Sequence, residues 1–290
     1  MAMIGLLHPG AMGSCVGLTL KNSGHEVLWA SEGRGAKTRQ RAEETGLTDC
    51  GSIDEMASQC TAIVSVCPPE FASFVADHVW GAGFKGLYID ANAASPSSKK
   101  QSARRMESAG ARFVDGGIIG LPARDRGRTW LHLSGVRAAE AASLFTGGPL
   151  EVDVTGGDVG QASALKMCFA AWSKGSTALL TATFTAAQNM DVFEQLKNAW
   201  SRIGMDFAKA ERDIVRSAPK AWRFAGEMKE IAHTFEYAGV PGGFHRAAEE
   251  VYEGLRGLKD REGLTADDVW KELKAKEHSG DPGASGTNVR

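Results

Sequence analysis

The pattern of hydrophobic positions divides the chain into two parts. In the first part, short apolar runs of strand length alternate with stretches of helical character. This alternation predicts an α/β domain with a doubly wound, mostly parallel sheet and helices on both faces. From about residue 188 to residue 276, helix follows helix, which predicts an all-α second part. The runs that we assign to strands are residues 3–7, 24–31, 62–66, 87–90, 112–115 and 129–133.

A helical run at residues 157–180 lies between the two parts. It carries almost no charge except Lys166 and Lys174. A helix that is apolar nearly all round should be buried, so we expect it to lie between two domains. A lysine there needs a reason, because an ammonium group buried without a partner is costly. We predict a first domain at 1–155, a second at 156–276 that begins with this long interdomain helix, and a disordered tail at 277–290.

Composition narrows the class of protein. The 290 residues exceed what one hydrophobic core usually holds, which agrees with two domains. A formal net charge of -2 indicates neither a nucleic-acid nor a membrane-surface partner. The five cysteines are scattered without the spacing of a metal site, so we expect reduced thiols, no metal and a cytoplasmic protein. No signal peptide and no membrane span are expected, because the one long apolar run carries two lysines.

The first predicted strand ends in a glycine-rich turn that leads into an amphipathic helix. Such a turn places unpaired backbone N–H groups at a helix N-terminus, where the helix dipole favours a pyrophosphate. Gly10 would let the backbone approach the phosphates, and Gly13 would let the helix pack close to the strand. We favour dinucleotide binding over an ordinary tight turn. The turn residues assigned to the cofactor are Leu7, His8, Pro9, Gly10, Ala11 and Met12.

The end of the second strand bears on which dinucleotide binds. NAD enzymes usually have an acid there for the ribose 2′-hydroxyl, whereas this strand ends in Ser31 and the acid, Glu32, comes one place late. Arg34 and Thr38 follow in a basic segment. A hydroxyl and a guanidinium suit the 2′-phosphate of NADP, so we favour NADP over NAD. The alternative is a solvated basic loop without a ligand.

Ligands of such sheets bind beyond the carboxyl ends of the strands. Three later segments of this chain come directly after predicted strands. Each can also be an ordinary loop, as their Gly and Pro content would suggest. The candidate positions are Cys67, Pro68 and Pro69 after one strand, Asn92 after the next, and Ile119 and Gly120 after a third.

The turn at residues 5–13, the Asp90-Ala-Asn92 segment with Ser95-Pro96, the segment 115–120 and the helix bearing Lys166 occur in the order seen in the β-hydroxyacid dehydrogenases. From residue 3 to about residue 273 the chain resembles that family, which belongs to the 6-phosphogluconate dehydrogenase superfamily. It is most similar to a branch whose helical C-terminal domain has no assigned function, and imine reductases share the same plan. The resemblance implies a Rossmann domain, an interdomain helix, a helical domain that dimerises, and a site at the domain cleft.

The family's functional residues carry over in part. Its lysine, the general acid or base for the substrate hydroxyl, corresponds to Lys166, whereas its asparagine one turn later falls at Phe169 or Ala170. Its Ser-Gly-Gly, which holds the substrate carboxylate, falls at residues 119–121, so the serine is replaced by isoleucine. The first glycine of its phosphate turn is His8, which either donates to a phosphate or packs. The resemblance therefore implies conserved machinery and a changed substrate.

We predict an NADP-dependent oxidoreductase that interconverts a small alcohol and a carbonyl compound, with Lys166 as acid/base and Asn92 orienting the nicotinamide or the substrate. One alternative is an NADPH-dependent reductase of cyclic imines, and the other is a catalytically idle NADP-binding sensor. Of two open positions, Lys174 lines the cleft or, as we favour, extends into solvent. His245 faces the cleft or, as we favour, is a solvated first-turn residue. The candidate substrate residues are Ile119, Gly120, Phe169, Ala170 and Lys174.

Overall fold

A computed structural model of the chain describes residues 1–122 and 125–277. Two compact units make up the described chain. Unit 1 contains Met1–Phe169 and His233–Val240, and unit 2 contains Ala170–Ala232 and the residues that follow Val240. The predicted boundary at residue 155 falls before the long helix, whereas unit 1 includes that helix's first residues, 161–169. The predicted tail, 277–290, lies outside the described residues apart from its first residue.

Unit 1 is built on one eight-stranded sheet of order β3-β2-β1-β4-β5-β6-β7-β8. All neighbours are parallel except β6 and β7, which form an antiparallel hairpin. The predicted α/β class with a helical C-terminal region is confirmed. The strands are β1 Met3–Leu7, β2 Glu26–Trp29, β3 Thr48–Asp49, β4 Ala62–Ser65, β5 Leu87–Asp90, β6 Arg112–Gly120, β7 Thr129–Ser134 and β8 Glu151–Gly156.

Helices connect most of these strands and cover both faces of the sheet. Those that precede the long helix are α1 Ala11–Asn22, α2 Ala36–Thr45, α3 Ile53–Gln59, α4 Pro69–Gly81, α5 Pro96–Ser108 and α6 Ala138–Ala142. The long helix is α7, Gln161–Asn189. The later helices are α8 Phe193–Arg202, α9 Phe207–Ser217, α10 Ala221–Tyr237, α11 Gly243–Gly254 and α12 Ala266–Glu277.

The sheet has a hydrophobic core on each face. Successive side chains of a strand point to opposite faces, so Leu6 packs in one core cluster and Leu7 in the other. Ile89 and Tyr88 of β5 divide in the same way. Burial on both faces explains why the strands are nearly continuous apolar runs rather than alternating ones. That property made them recognisable in the sequence.

Unit 2 has an aromatic core around Phe184, a fully buried residue of α7. Its ring stacks on Phe207 with the ring centres 4.7 Å apart, and Phe193 and Trp270 meet it edge-on at 5.7 and 5.8 Å. These contacts join α7 to α8, α9 and α12, as the helical pattern predicts. No helix in the described part of the chain is long and apolar enough to cross a membrane.

Candidate active site

The turn between β1 and α1 leaves backbone donors open. Gly10 is the N-cap of α1, no side chain caps that helix, and its first turn contains no acid. A Cβ added to Gly10 would meet no atom within 4 Å, which leaves space for a ligand beside the first N–H groups. A Cβ at Gly13 would lie 1.9 Å from the backbone oxygen of His8, so only glycine fits there. The turn therefore suits a phosphate group at the helix N-terminus.

Replacing Gly13 by alanine is expected to destabilise the protein by about 1–3 kcal/mol or more, because the new Cβ would meet a backbone oxygen. Gly10→Ala is the matched control, since its Cβ would enter open space. That variant should fold normally and bind dinucleotide more weakly, because the methyl group occupies the space beside the open N–H groups. Thermal unfolding and titration with NADPH separate the two effects. Equal losses of stability in both variants would contradict the packing difference.

His8 is buried in this turn. Its burial, aided by the positive charge of Arg34, lowers the pKa of His8 to about 4. The imidazole is therefore neutral at pH 7, so it can donate a hydrogen bond to a phosphate but adds no positive charge.

An acid that the sequence did not indicate lies beside the basic segment after β2. Asp49, at the end of β3, accepts a hydrogen bond of 2.9 Å from the Gly51 N–H, and its carboxylate lies 4.0 Å from the Arg39 guanidinium. Partial burial works to raise the pKa of Asp49, but hydrogen bonds from Gly51 and Ser31 and the charge of Arg39 hold it below its ordinary value. Arg39 also donates to the Ser31 carbonyl at 2.9 Å. Arg34 and Lys37 are exposed cations of this segment that pair with no carboxylate in the described part of the chain.

Asn92 holds together the loops that follow β4 and β5. Its side-chain oxygen accepts from the Cys67 N–H at 2.6 Å, and its amide group donates to the Ser65 hydroxyl at 3.0 Å and the Asp90 carboxylate at 2.7 Å. Both amide hydrogens are therefore used within the protein. A ligand contact would fall to the second lone pair of Oδ1. Burial, followed by the charge of Asp90, raises the pKa of the Cys67 thiol to about 12, so this thiol is protonated at neutral pH.

Lys166 lies against the middle of β6. A Cβ added to Gly117 would be 2.8 Å from the Lys166 Cβ and 2.6 Å from the Ala162 oxygen, so the helix and the strand are in close contact here. Lys166 is half-buried, and no residue within 1–122 and 125–277 forms a hydrogen bond or an ion pair with its ammonium group. Ile119 is buried and Gly120 is exposed, and both belong to β6, which extends beyond its predicted end at residue 115.

The expectation that α7 is buried nearly all round is wrong for one face. Leu165 is 39% exposed, Phe169 50% and Trp172 79%, whereas Met167 and Ala170 are fully buried. Positions three and four apart share a face of a helix, so the apolar side chains outside the core form a stripe. Ala170 packs within the protein, whereas Phe169, the other position that corresponds to the expected asparagine, is exposed.

Two expectations for the helical part are also wrong. Lys174 does not extend into solvent: its ammonium group pairs with the Glu227 carboxylate and lies 4.5 Å from the centre of the Phe224 ring. The side chain of Lys174 is only 19% exposed. His245 is buried rather than solvated, and its burial lowers the pKa of the imidazole. The partners of Lys174, Glu227 and Phe224, lie on α10, about 50 positions along the chain, so no local sequence pattern reveals them.

A buried charge cluster beneath the site was not predicted. The Lys99 ammonium group donates to the Asp90 carboxylate at 2.8 Å and lies 3.7 Å from the Asp115 carboxylate. All three residues are at most 1% exposed. The second Asp115 oxygen accepts from the N–H groups of Gly160 and Ser163, both at 3.0 Å, where α7 begins. Asp115 therefore binds the orphan donors of the helix that carries Lys166.

Comparisons with known proteins agree with this architecture. The family model described as the NAD binding domain of 6-phosphogluconate dehydrogenase matches residues 1–143. A domain of unknown function, DUF1932, matches residues 187–255. An uncharacterized 28.5 kDa protein of Methanothermus fervidus is 29% identical over 171 residues. That match covers 59% of this chain and 65% of the relative's own length.

Solved structures share the fold over most of their length. The conserved protein MTH1747, of unknown function and structurally similar to 3-hydroxyacid dehydrogenases, is 27% identical, with a TM-score of 0.61 over 88% of this chain and 97% of that one. The 3-hydroxyisobutyrate dehydrogenase of Mycobacterium tuberculosis has a TM-score of 0.65 at 18% identity, over 94% and 99% of the two chains. A reductive aminase from Aspergillus terreus, in complex with NADPH4, cyclohexanone and allyl amine, has a TM-score of 0.55 at 16% identity, over 95% and 99%.

Together, the two family models cover strands β1 to β7 and helices α8 to α11. The chain therefore combines a domain that matches the NAD binding domain of 6-phosphogluconate dehydrogenase with a helical domain of unknown function.

Proposed function

We propose that the protein transfers hydride between NADP and a small alcohol or carbonyl compound, with Lys166 as general acid/base. The observation that carries the proposal is the Lys166 ammonium group, which has no hydrogen-bond or ion-pair partner among the described residues; the Cβ of the same side chain lies close to Gly117 of β6. Both β1 and β6 run parallel to the central strands, so their carboxyl ends meet at one edge of the sheet. Ligands of such sheets bind at that edge.

The open donors at the start of α1 and the Arg34 guanidinium would hold the dinucleotide phosphates. When bound, the reduced nicotinamide supplies the hydride. In reduction, a C–H bond forms at the carbonyl carbon while the π electrons of the C=O bond move to oxygen. Lys166 Nζ gives that oxygen its proton and becomes a neutral amine, and oxidation follows the reverse course. The hydrogen bonds of Asn92 to Cys67 and Asp90 would hold the loops after β4 and β5 in place during hydride transfer.

Arg34 is the residue expected to select NADP. Removing its guanidinium in Arg34→Ala should weaken NADPH binding by about 10–100-fold, the effect of losing a hydrogen bond to a charged group. NADH binding should stay the same, because NADH has no 2′-phosphate. Lys37→Ala, which removes a neighbouring exposed cation, is the control. Fluorescence titration with both dinucleotides measures the effect, and tighter binding of NADH than NADPH with no response to Arg34→Ala would refute the assignment.

Two observations point to different substrate classes. Ile119 stands where the family has a carboxylate-binding serine, which favours a neutral substrate such as a cyclic imine. Against that, Arg126 and Arg128 are exposed in the hairpin loop that follows Gly120, and their charge favours an anionic substrate over an iminium cation. Hydroxyacid-like substrates are therefore our first proposal and cyclic imines the second.

A substrate screen that follows NADPH absorbance tests these proposals. Panels of hydroxy acids, ketones, aldehydes and cyclic imines should include charged and neutral members of similar size. Preference for the anionic members supports the first proposal, and selective turnover of imines supports the second. Tight NADPH binding without turnover of any panel would favour the NADP-binding sensor instead.

The proposal includes a homodimer formed through the helical part. Trp172 and Leu179 of α7 are exposed apolar side chains seven positions apart on one helix face, and Met190, directly after the helix, is exposed as well; such a surface is the kind that a protein partner covers. It also includes a cytoplasmic location, which the five free thiols support.

A further inference from the structure

We infer that Lys99 and Asp115 are positioning residues for Lys166, because they fix the first turn of α7 relative to the loop held by Asn92. The inference rests on the proposed role of Lys166. Neither residue faces a ligand, since both are fully buried. Their effect on Lys166 therefore passes through the contacts of α5, β5, β6 and α7.

One end of the connection is the loop on the cofactor side. The Asp90 carboxylate accepts from the Asn92 N–H at 3.1 Å and from the Asn92 amide at 2.7 Å. The same oxygen accepts from Lys99 Nζ at 2.8 Å. Lys99 also donates to the Asp90 carbonyl at 2.5 Å and to the Gly116 carbonyl at 3.3 Å. A single ammonium group thus joins the end of β5 to the middle of β6.

The other end is the catalytic helix. One oxygen of Asp115 accepts from the Gly160 and Ser163 N–H groups and from the Ser134 and Ser163 hydroxyls, at 3.0 to 3.1 Å. The Ser134 hydroxyl in turn accepts from the Ala162 N–H at 3.0 Å. These bonds fix the first turn of α7, and Lys166 follows one turn later.

The charge balance makes the three buried residues depend on one another. Two carboxylates surround one ammonium group. The Asp115 oxygen that faces Lys99, Oδ1, accepts no hydrogen bond and lies 3.7 Å from the Lys99 Nζ. Without Lys99, two buried carboxylates would repel each other, and Asp115 would lose its only nearby cation among the described residues. The cluster is therefore expected to respond as a unit rather than as three separate bonds.

The test compares Asp115→Asn, Lys99→Met and the double variant, which restores the net charge of the cluster. Arg104→Met, which removes an exposed cation from the same helix as Lys99, is the control. Asp115→Asn should speed amide hydrogen exchange at residues 160–166 and lower kcat by about tenfold or more, because small displacements of a catalytic group are costly. The NADPH dissociation constant should change less than about twofold, since the phosphate turn is untouched.

The double variant should lose less activity than the product of the two single losses, which identifies coupling through the cluster. Unchanged exchange at 160–166, equal losses in kcat and NADPH affinity, or simply multiplicative effects would each overturn the inference. If Lys99→Met does not fold, the comparison of Asp115→Asn with Arg104→Met still decides. The hydrogen-exchange measurement needs no substrate. If no substrate is turned over, the proposed function is refuted, and exchange at residues 160–166 still tests whether Asp115 positions the first turn of α7.

Discussion

Lys166→Ala is expected to lower kcat by about 10²–10⁴-fold while NADPH binding stays the same, because proton transfer by a positioned side chain contributes a factor of that size. The ammonium group has no partner within the described residues, so its removal leaves no buried charge unpaired. The variant should therefore fold as the wild type does. Steady-state kinetics on any substrate from the screen, with NADPH titration alongside, measures both effects.

Cys168→Ala is the control for this change, since Cys168 is an exposed residue two positions further along the same helix. Its kcat should match that of the wild type. Small primary amines added to Lys166→Ala should restore part of the lost rate if the missing group is a proton donor. Turnover by Lys166→Ala that equals wild-type turnover on every active substrate would rule out the acid/base role.

Gly117→Ala should have the second largest effect. The added Cβ would lie 2.6 Å from the backbone oxygen of Ala162 and 2.8 Å from the Lys166 Cβ, so α7 must move away from β6. A displacement of about 1 Å in a catalytic group can cost about 10²-fold in rate, and overpacking adds a stability loss of about 1–3 kcal/mol. We expect both, measured as kcat and as the free energy of unfolding in urea.

Gly157→Ala is the matched control, because a Cβ at Gly157 meets no atom within 4 Å. Gly157 lies in the segment between β8 and α7. Comparison of the two variants therefore separates the effect of close contact with Lys166 from a general effect of adding a methyl group near α7. If Gly117→Ala lowers stability but leaves kcat unchanged, the position of Lys166 does not depend on the close approach of helix and strand.

The sequence predicted the features that depend on local pattern. Apolar runs identified the central strands because both sheet faces are buried, and Gly10 and Gly13 identified the phosphate turn. It did not predict β3, which has two exposed residues, or β8, whose middle residues are exposed. Such edge strands lack the buried run that marks the others.

Pairings between distant residues explain the other differences. Asp90 and Asp115 lie at the ends of predicted strands, where ligands of such sheets bind. In the structure both carboxylates are buried and face Lys99. Lys174 was expected to extend into solvent because its partner, Glu227, is 53 positions away in the chain. The periodicity of hydrophobic residues does not distinguish a lysine that pairs with a buried acid from one that is solvated.

The two adjacent glycines of β6 have a consequence for how this protein can evolve. A Cβ at Gly116 would lie 3.2 Å from the Ala91 Cα, and one at Gly117 would press on α7, so both sides of the strand are closed to any larger residue at this point. Substitutions beyond Gly117 can therefore alter the end of β6 without disturbing the contact between this strand and the helix that carries Lys166, so evolution is freer there than at the two glycines.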